Sequence, residues 1–303
     1  MLKGEKMLNG EERMDMDFAR TILDYAHNNL CEFEKGGASS NQIYYFDYEG
    51  IRYVLKKPLM TGDNLSPFWL MMKYVFDFSF EDQIDNLYKV YNALRDNPHI
   101  ATATLVAADE EAMIYEFAEG HSIERDEFPD GKDNAYRLGQ YIGYNHRIAH
   151  ENCGIYGVEN VKDFTASAID YMDRCISLHW DSDSMTDRKL QVLLEEIKGM
   201  NFKSSRYSLI MVDMSADQFL FKGEDIRTCV DLDAYVVGPV EWELCFLFHQ
   251  VEEWNSFKLG YEKYQPMPEF RKYDKFFYLL MSLNSYKNKR EMEEYWSSFI
   301  FRQ

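Results

Sequence analysis

Residues 207–247, YSLIMVDMSADQFLFKGEDIRTCVDLDAYVVGPVEWELCFL, are the stretch that decides the fold of this chain. Two apolar runs within it end in acids, the first in Asp213 and the second in Asp231 and Asp233. Such runs predict strands that deliver carboxylates to one place. Paired acids at strand ends are what a divalent metal and a general base require. A β-hairpin with solvated acidic turns is the alternative that this stretch alone leaves open.

Composition places the chain among folded proteins with a large core. It has 303 residues, of which 46% are hydrophobic and 16% aromatic, enough for one large domain or two ordinary ones. The formal net charge is -19. A nucleic-acid binder normally carries a basic face, so the charge argues against that partner and favours a cationic small molecule.

The cysteines and the N-terminus predict a cytoplasmic protein. Five cysteines are widely spaced without a CxxC pair, which fits reduced thiols and argues against a disulfide framework or a zinc site. Residues 1–17 lack the apolar core of a signal peptide, and no apolar run reaches the length of a membrane span. We therefore expect a soluble protein with no membrane partner. Its oligomeric state is not readable from the sequence.

The first third of the chain predicts one helix and several strands. The expected helix spans residues 17–28, and the expected strands are 42–48, 51–55, 100–106 and 111–117, with a further strand before the small residues 36–41. These small residues predict a hairpin tip that can approach a phosphate, although most glycine pairs between strands are ordinary turns. Lys56 ends the third strand, where a solvated edge charge is the alternative to a functional lysine.

The remaining segments are mainly helical. The aromatic stretch 65–80 fits a buried helix, a lid or a partner surface, with core packing favoured over a cation–π wall at Phe68 and Trp69. Apolar periodicity then predicts helices at residues 80–97, 134–150, 164–179, 188–198, 241–253 and 273–284, with one more near the C-terminus.

The order of elements predicts an α+β protein with two lobes. A small lobe, residues 1–117, would hold a five-stranded antiparallel sheet plus a helix, and a larger, mostly helical lobe would span residues 118–303. We expect the acids of the opening stretch to lie in the second lobe.

The polar residues of the opening stretch keep fixed spacings. Asp231 is followed by Gly238 seven residues later and by Glu243 twelve residues later, while Gln218 comes five residues after Asp213. The small residues 36–41 and the YVLKKP strand come before these motifs in the chain. From about residue 31 to residue 247, the chain resembles the aminoglycoside phosphotransferase and choline kinase-like family of the protein-kinase-like fold.

This resemblance implies a phosphotransfer centre in the helical lobe. Asp213 matches the family's catalytic aspartate, which positions the acceptor hydroxyl and accepts its proton. Gln218 matches a metal-binding asparagine, and Asp231, helped by Asp233, matches the acid that holds Mg²⁺ on the nucleotide phosphates. The helix with the sequence LGQYIGYNH matches a family helix whose histidine, His146 here, we interpret as structural.

The resemblance also implies a site for ATP or GTP in the small lobe. Lys56 matches the lysine that grips the phosphates, with Lys57 as the alternative and Glu81 as the acidic partner. The other matching residues are Gly37, Ser39 and Ser40 in the nucleotide loop, and Glu116 and Phe117 in the hinge whose backbone holds the adenine.

Three positions depart from the family's pattern. Met211 and Val212 replace the usual histidine and glycine, and Gln218 replaces asparagine. The extra methylene of glutamine shifts its side-chain oxygen by more than about 1 Å relative to that of asparagine. A misplacement of this size in an active site can lower the reaction rate about a hundredfold. Because Lys56, Asp213 and Asp231 are nevertheless retained, the resemblance favours an active kinase for a small acceptor, such as an aminoglycoside, amino alcohol or sugar. A catalytically degenerate relative with a nucleotide-binding or regulatory role is the alternative.

Overall fold

The structure is a computed structural model, and it falls into two compact units. One unit comprises the described residues up to Leu59 together with Thr104–Phe117, and the other comprises those between Met60 and Ala103 and those after Phe117. The residues that the structure describes are 16–38, 41–59, 66–79, 82–123, 128, 131–178 and 185–285.

Helices and strands follow one another along the chain in an α+β order. The helices are α1 Met16–Asn29, α2 Pro67–Phe76, α3 Gln83–Leu94, α4 Lys132–Asn145, α5 Phe164–Leu178, α6 Met185–Gly199, α7 Val240–Gln250, α8 Trp254–Tyr261 and α9 Asp274–Ser285. The strands are β1 Glu34–Ala38, β2 Asn41–Tyr48, β3 Ile51–Pro58, β4 Ala101–Thr102, β5 Leu105–Ala108, β6 Met113–Glu116, β7 Tyr207–Met211, β8 Phe219–Lys222, β9 Asp225–Cys229 and β10 Tyr235–Pro239.

The first unit is a five-stranded antiparallel sheet with one helix, which confirms the predicted fold class. The strand order is β1-β2-β3-β6-β5, so β3 is central. Its β2–β3 hairpin turns at Glu49 and Gly50, whose φ angles of 51° and 80° suit the twist of a tight hairpin. Helix α1 buries Ile22 and Ala26 against the apolar face of the sheet.

The second unit contains the other helices and two small sheets. One sheet pairs β7 with β10, and the other has the order β4-β9-β8. Helix α2 buries Trp69, Met72 and Phe76, so the aromatic stretch is a core helix, and Trp69 is no exposed wall for a cation. Ser66 caps this helix by accepting a hydrogen bond from the backbone N–H of Trp69. No helix among the described residues is long and apolar enough to cross a membrane.

Residues between β3 and β5 were expected in the first lobe but pack with the second unit. The amide nitrogen of Asn86 on α3 donates to the carbonyl of Tyr235 at 2.9 Å, and its oxygen accepts from the N–H of Tyr156 at 3.1 Å. In addition, β4 pairs in parallel with β9. These contacts join segments far apart in sequence, which explains why a boundary placed at Phe117 alone misses them.

Most predicted elements are present, with shifted ends. The expected helix 134–150 ends at Asn145, because the chain turns there and His150 then forms a bridge with Tyr207. Strand β10 and helix α8 were not predicted. The expected C-terminal helix lies outside the described residues.

Candidate functional site

Strands β7 and β10 place the acids of the opening stretch at one end of a short ladder. Met211 lies opposite Tyr235, and the N–H of Val212 donates to the carbonyl of Ala234 at 3.0 Å. Asp213 and Asp233 therefore flank the end of this ladder. Asp233 is buried with 6% exposure, whereas Asp213 is half-buried. The unpredicted strand β10 is thus what brings the two halves of the stretch together.

The hairpin of β8 and β9 adds Gln218 and Asp231 to the same place. The N–H of Val230 donates to the carbonyl of Gln218 at 3.0 Å. The side-chain nitrogen of Gln218 lies 3.5 Å from Asp213 Oδ2 and 3.5 Å from the Asp213 carbonyl oxygen. Asp231 Oδ1 accepts from the N–H of Asp233 at 3.4 Å. All four residues predicted for catalysis and metal binding therefore lie in one cluster.

The oxygen atoms of this cluster suit a Mg²⁺ ion that also keeps water or phosphate ligands. They are too few for a metal ion whose ligands all come from the protein. The donor set is the carboxylates of Asp231 and Asp233 and the amide oxygen of Gln218, whose nitrogen faces Asp213. In the described part of the chain, no group of three or more His, Cys, Asp or Glu residues is arranged to hold a metal ion. Mg²⁺ is usually bound by one or two carboxylates together with water and substrate phosphates. The residues present fit that mode of binding.

Helix α7 holds the backbone that leads to Asp213. Glu243 Oε1 accepts from the N–H of Met211 at 2.9 Å, and Trp242 Nε1 donates to the carbonyl of Val212 at 3.2 Å. The second carboxylate oxygen of Glu243 lies 2.8 Å from His146 Nε2, without the alignment of a hydrogen bond. His146 is fully buried, and Tyr261 contacts its other ring nitrogen at 3.1 Å. This packing supports the interpretation of His146 as structural.

A buried polar layer lies beneath Asp231. The hydroxyls of Tyr141 and Tyr235 are 3.1 Å apart, and Cys229 Sγ lies 3.8 Å from that of Tyr235. Burial raises the pKa of Cys229 to about 11, although hydrogen bonds with both tyrosines act in the opposite direction. Burial also raises the pKa of Tyr141 and of Tyr235. The layer stays neutral at physiological pH, so Cys229 is not available as a thiolate nucleophile.

In the first unit, Lys56 occupies the central strand of the sheet. Its register partners are Ile43 on β2 and Met113 on β6, and its side chain is only 9% exposed. Its Nζ lies 5.5 Å from the ring centre of Tyr115. Lys56 is therefore not a solvated edge charge. Lys57, the alternative, is half-buried.

The predicted nucleotide loop is described only in part. Gly37 belongs to β1, whose pairing with β2 shifts register between Lys35 and Ala38. A Cβ on the preceding Gly36 would lie 2.8 Å from a ring carbon of Tyr45, so a larger residue there would require the Tyr45 ring to move. Ser39, Ser40 and Glu81 lie outside the described residues.

The predicted hinge residues already use their backbone donors. The N–H of Glu116 donates to the carbonyl of Thr104 at 3.0 Å, and that of Phe117 donates to the carbonyl of Arg52 at 2.9 Å. Their carbonyl groups could still accept a hydrogen bond from an adenine amino group. If the backbone of Glu116 and Phe117 holds the base, the carbonyl oxygens are the groups that remain to do so, because both N–H groups are already used.

Comparisons with solved structures find the same fold in several phosphotransferases. The macrolide 2′-phosphotransferase MphH from Brachybacterium faecium is 12% identical over 88% of this chain and 89% of its own, with a TM-score of 0.56. The complex of APH(2″)-IIa with streptomycin and ATP is 14% identical over 98% of both chains, with a TM-score of 0.58. The choline kinase LicA from Streptococcus pneumoniae is 14% identical over 88% of both chains, with a TM-score of 0.55.

Sequence comparison does not extend this likeness. No family model matches the chain, and no curated protein sequence matches it significantly. The structural likeness covers both units, because the aligned part is at least 88% of the chain in these three comparisons. The chain therefore has the two-lobed, kinase-like α+β fold that these aminoglycoside and macrolide phosphotransferases share with choline kinase.

Proposed function

We propose that the protein is a kinase that transfers the γ-phosphoryl group of ATP to a hydroxyl group of a small molecule. The observation that carries this proposal is the cluster of Asp213, Gln218, Asp231 and Asp233, which combines a half-buried carboxylate with oxygen donors for a cation. The structural neighbours include a complex with streptomycin and ATP and one with ADP, which supports ATP as the nucleotide.

In this proposal, each residue of the cluster has a separate role. Asp213 orients the acceptor hydroxyl and takes its proton as the oxygen attacks the γ-phosphorus and the bond to the β-phosphate oxygen breaks. Asp231, Asp233 and the carbonyl of Gln218 would hold Mg²⁺, which neutralises phosphate charge when it is bound. In the first unit, Lys56 supplies a cation for the phosphates, and the carbonyls of Glu116 and Phe117 accept from the base.

The acceptor that we propose is small and cationic, such as an aminoglycoside or an amino alcohol. A net charge of -19 attracts cationic molecules over a distance and repels polyanions such as nucleic acids. ATP and the reduced state of free cysteines are both typical of the cytoplasm, where we place the reaction.

The decisive variant is Asp213→Asn, which keeps the shape of the side chain but removes the proton acceptor. We expect turnover of Mg-ATP with an amine-bearing acceptor to fall at least about a hundredfold, because general base catalysis contributes about 10²–10⁴-fold. Binding of Mg-ATP, measured by calorimetry, should change little. Asp225→Asn is the matched control, since Asp225 lies on β9 and pairs with Arg227 at the surface. Turnover that survives Asp213→Asn would refute this base.

A nucleotide-binding protein without transferase activity is the second candidate. Met211 and Val212 favour this candidate, because they stand where the resembling family has a histidine and a glycine. The longer side chain of Gln218, in place of asparagine, favours it as well. A panel of amino alcohols, aminoglycosides and sugars distinguishes the two candidates. Binding of Mg-ATP without turnover across the panel would favour the second, and absence of binding at millimolar Mg-ATP would contradict both.

A further inference from the structure

Helix α7 contacts the backbone on both sides of Asp213. Glu243 and Trp242 hold Met211 and Val212, the two residues before it. Gln250, the last residue of the same helix, donates from Nε2 to the carbonyl of Met214 at 3.2 Å. A carbonyl oxygen can only accept, so the orientation of the Gln250 amide is fixed by this bond. Three side chains of one helix therefore bracket the candidate base.

The bond to Met214 matters because the chain leaves its ladder at this point. Strand β7 ends at Met211, and β8 begins only at Phe219. Between them, Ser215 donates to Asp217, and the N–H of Gln218 donates to the carbonyl of Ser215 at 3.2 Å. Those two bonds stay within the loop, and its last residue, Gln218, is held from outside by the N–H of Val230. Gln250 supplies an anchor from outside, directly after Asp213.

We propose that Gln250 is a positioning residue for phosphoryl transfer, which holds the Asp213 carboxylate in place by fixing the carbonyl of Met214. This inference rests on the proposed function, because it assigns Asp213 the role of the base. Gln250 itself touches no reacting atom. Its carbonyl oxygen is buried and accepts no hydrogen bond from the described residues, so the contact with Met214 is the one that orients the amide there.

Two nearly isosteric variants test the inference. Gln250→Met keeps the length of the side chain without a donor, and Gln250→Glu replaces the donor with an oxygen that faces the Met214 carbonyl. We expect both to lower kcat about tenfold while KM for ATP changes less than about twofold, because displacement of a catalytic group by about 1 Å can cost about a hundredfold. Gln191→Glu is the matched control, since the Gln191 amide donates to Glu195, one turn along α6, at the surface.

A second measurement separates this inference from the proposed function. Amide hydrogen exchange of a peptide covering residues 211–218 should become at least about threefold faster in both Gln250 variants, with no change in the peptide covering β10. This readout needs no turnover. If the wild-type protein has no kinase activity, the proposed function is contradicted, and the exchange experiment still decides whether Gln250 holds the loop. Unchanged exchange in residues 211–218, or kcat within twofold of wild type, would overturn the role of Gln250.

Discussion

Two buried acids on α7 are held by specific partners. Glu241 and Glu243 are each only 1% exposed. Glu241 accepts from the hydroxyl of Ser204 and from the N–H of Ser205, both at 2.7 Å. Glu243 accepts from the N–H of Met211 and contacts His146. Burial of an acid is tolerated when such donors replace water, so these two residues stabilise the segments before and within β7.

Removal of the Glu243 carboxylate should destabilise the protein. Glu243→Ala leaves the buried N–H of Met211 without an acceptor and opens a cavity beside His146, and we expect a loss of about 2–4 kcal/mol in the free energy of unfolding. Urea unfolding followed by circular dichroism measures it. Glu262→Ala removes an exposed acid that pairs with Lys258 at 3.8 Å, and its effect should stay below about 1 kcal/mol. Equal losses in the two variants would contradict a special role for Glu243.

At the scale of elements, helices α4 and α8 approach each other closely through glycines. A Cβ on Gly139 would lie 2.0 Å from the carbonyl oxygen of Phe257, and one on Gly260 would lie 2.0 Å from that of Tyr136. Gly143 has a similar contact, at 2.6 Å from the carbonyl oxygen of Tyr261. Tyr261 on α8 also contacts His146, so the packing of α4 against α8 supports the buried residues behind the candidate site.

Substitution of Gly139 should therefore be costly although alanine favours helices. Gly139→Ala forces backbone atoms apart, and we expect it to lower the free energy of unfolding by about 1–3 kcal/mol. Gly199→Ala is the control, because a Cβ there meets no atom within 4 Å, and it should be neutral or stabilise by up to about 1 kcal/mol. Thermal unfolding of both variants checks this. A stable Gly139→Ala variant would show that α4 and α8 can separate at no cost.

On the scale of the whole molecule, net charge acts on stability. The chain carries 52 acidic and 33 basic residues, which gives the formal net charge of -19. Self-repulsion of such a charge favours the expanded, unfolded state. Salt weakens it, since the Debye length falls from about 30 Å at 0.01 M to about 10 Å at 0.1 M ionic strength.

We accordingly expect sodium chloride to stabilise the protein. The urea midpoint should rise when the salt concentration increases from about 0.01 M to about 0.3 M, because repulsion among the acids is screened. Urea is the suitable denaturant, since guanidinium would itself act as a salt. A midpoint that falls with salt would mean that attractive ion pairs, such as Lys198 with Asp173 and Glu195, outweigh the repulsion.

Most of the elements, and all the candidate residues of the site, were predictable from the sequence. Alternation and apolar periodicity are local properties, and they predicted the five-stranded sheet, α1 and the main amphipathic helices. The order and spacing of the motifs from Asp213 to Glu243 resemble those of a kinase family, and that resemblance predicts a phosphotransfer centre. The interpretation of His146 as structural also comes from the sequence, and its burial and its contact with Tyr261 support it.

Only the tertiary structure decided how these residues are held. Strand β10 is a fully buried run that ends in Pro239, so it lacks the alternation that reveals a strand. Its pairing with β7 nevertheless brings Asp233 near Asp213. Lys56 lies on a central strand because β6 pairs with β3 from far along the chain. The bonds from α7 to Met211, Val212 and Met214 likewise join distant residues. Such contacts depend on how elements pack, and a local pattern carries no information about packing partners.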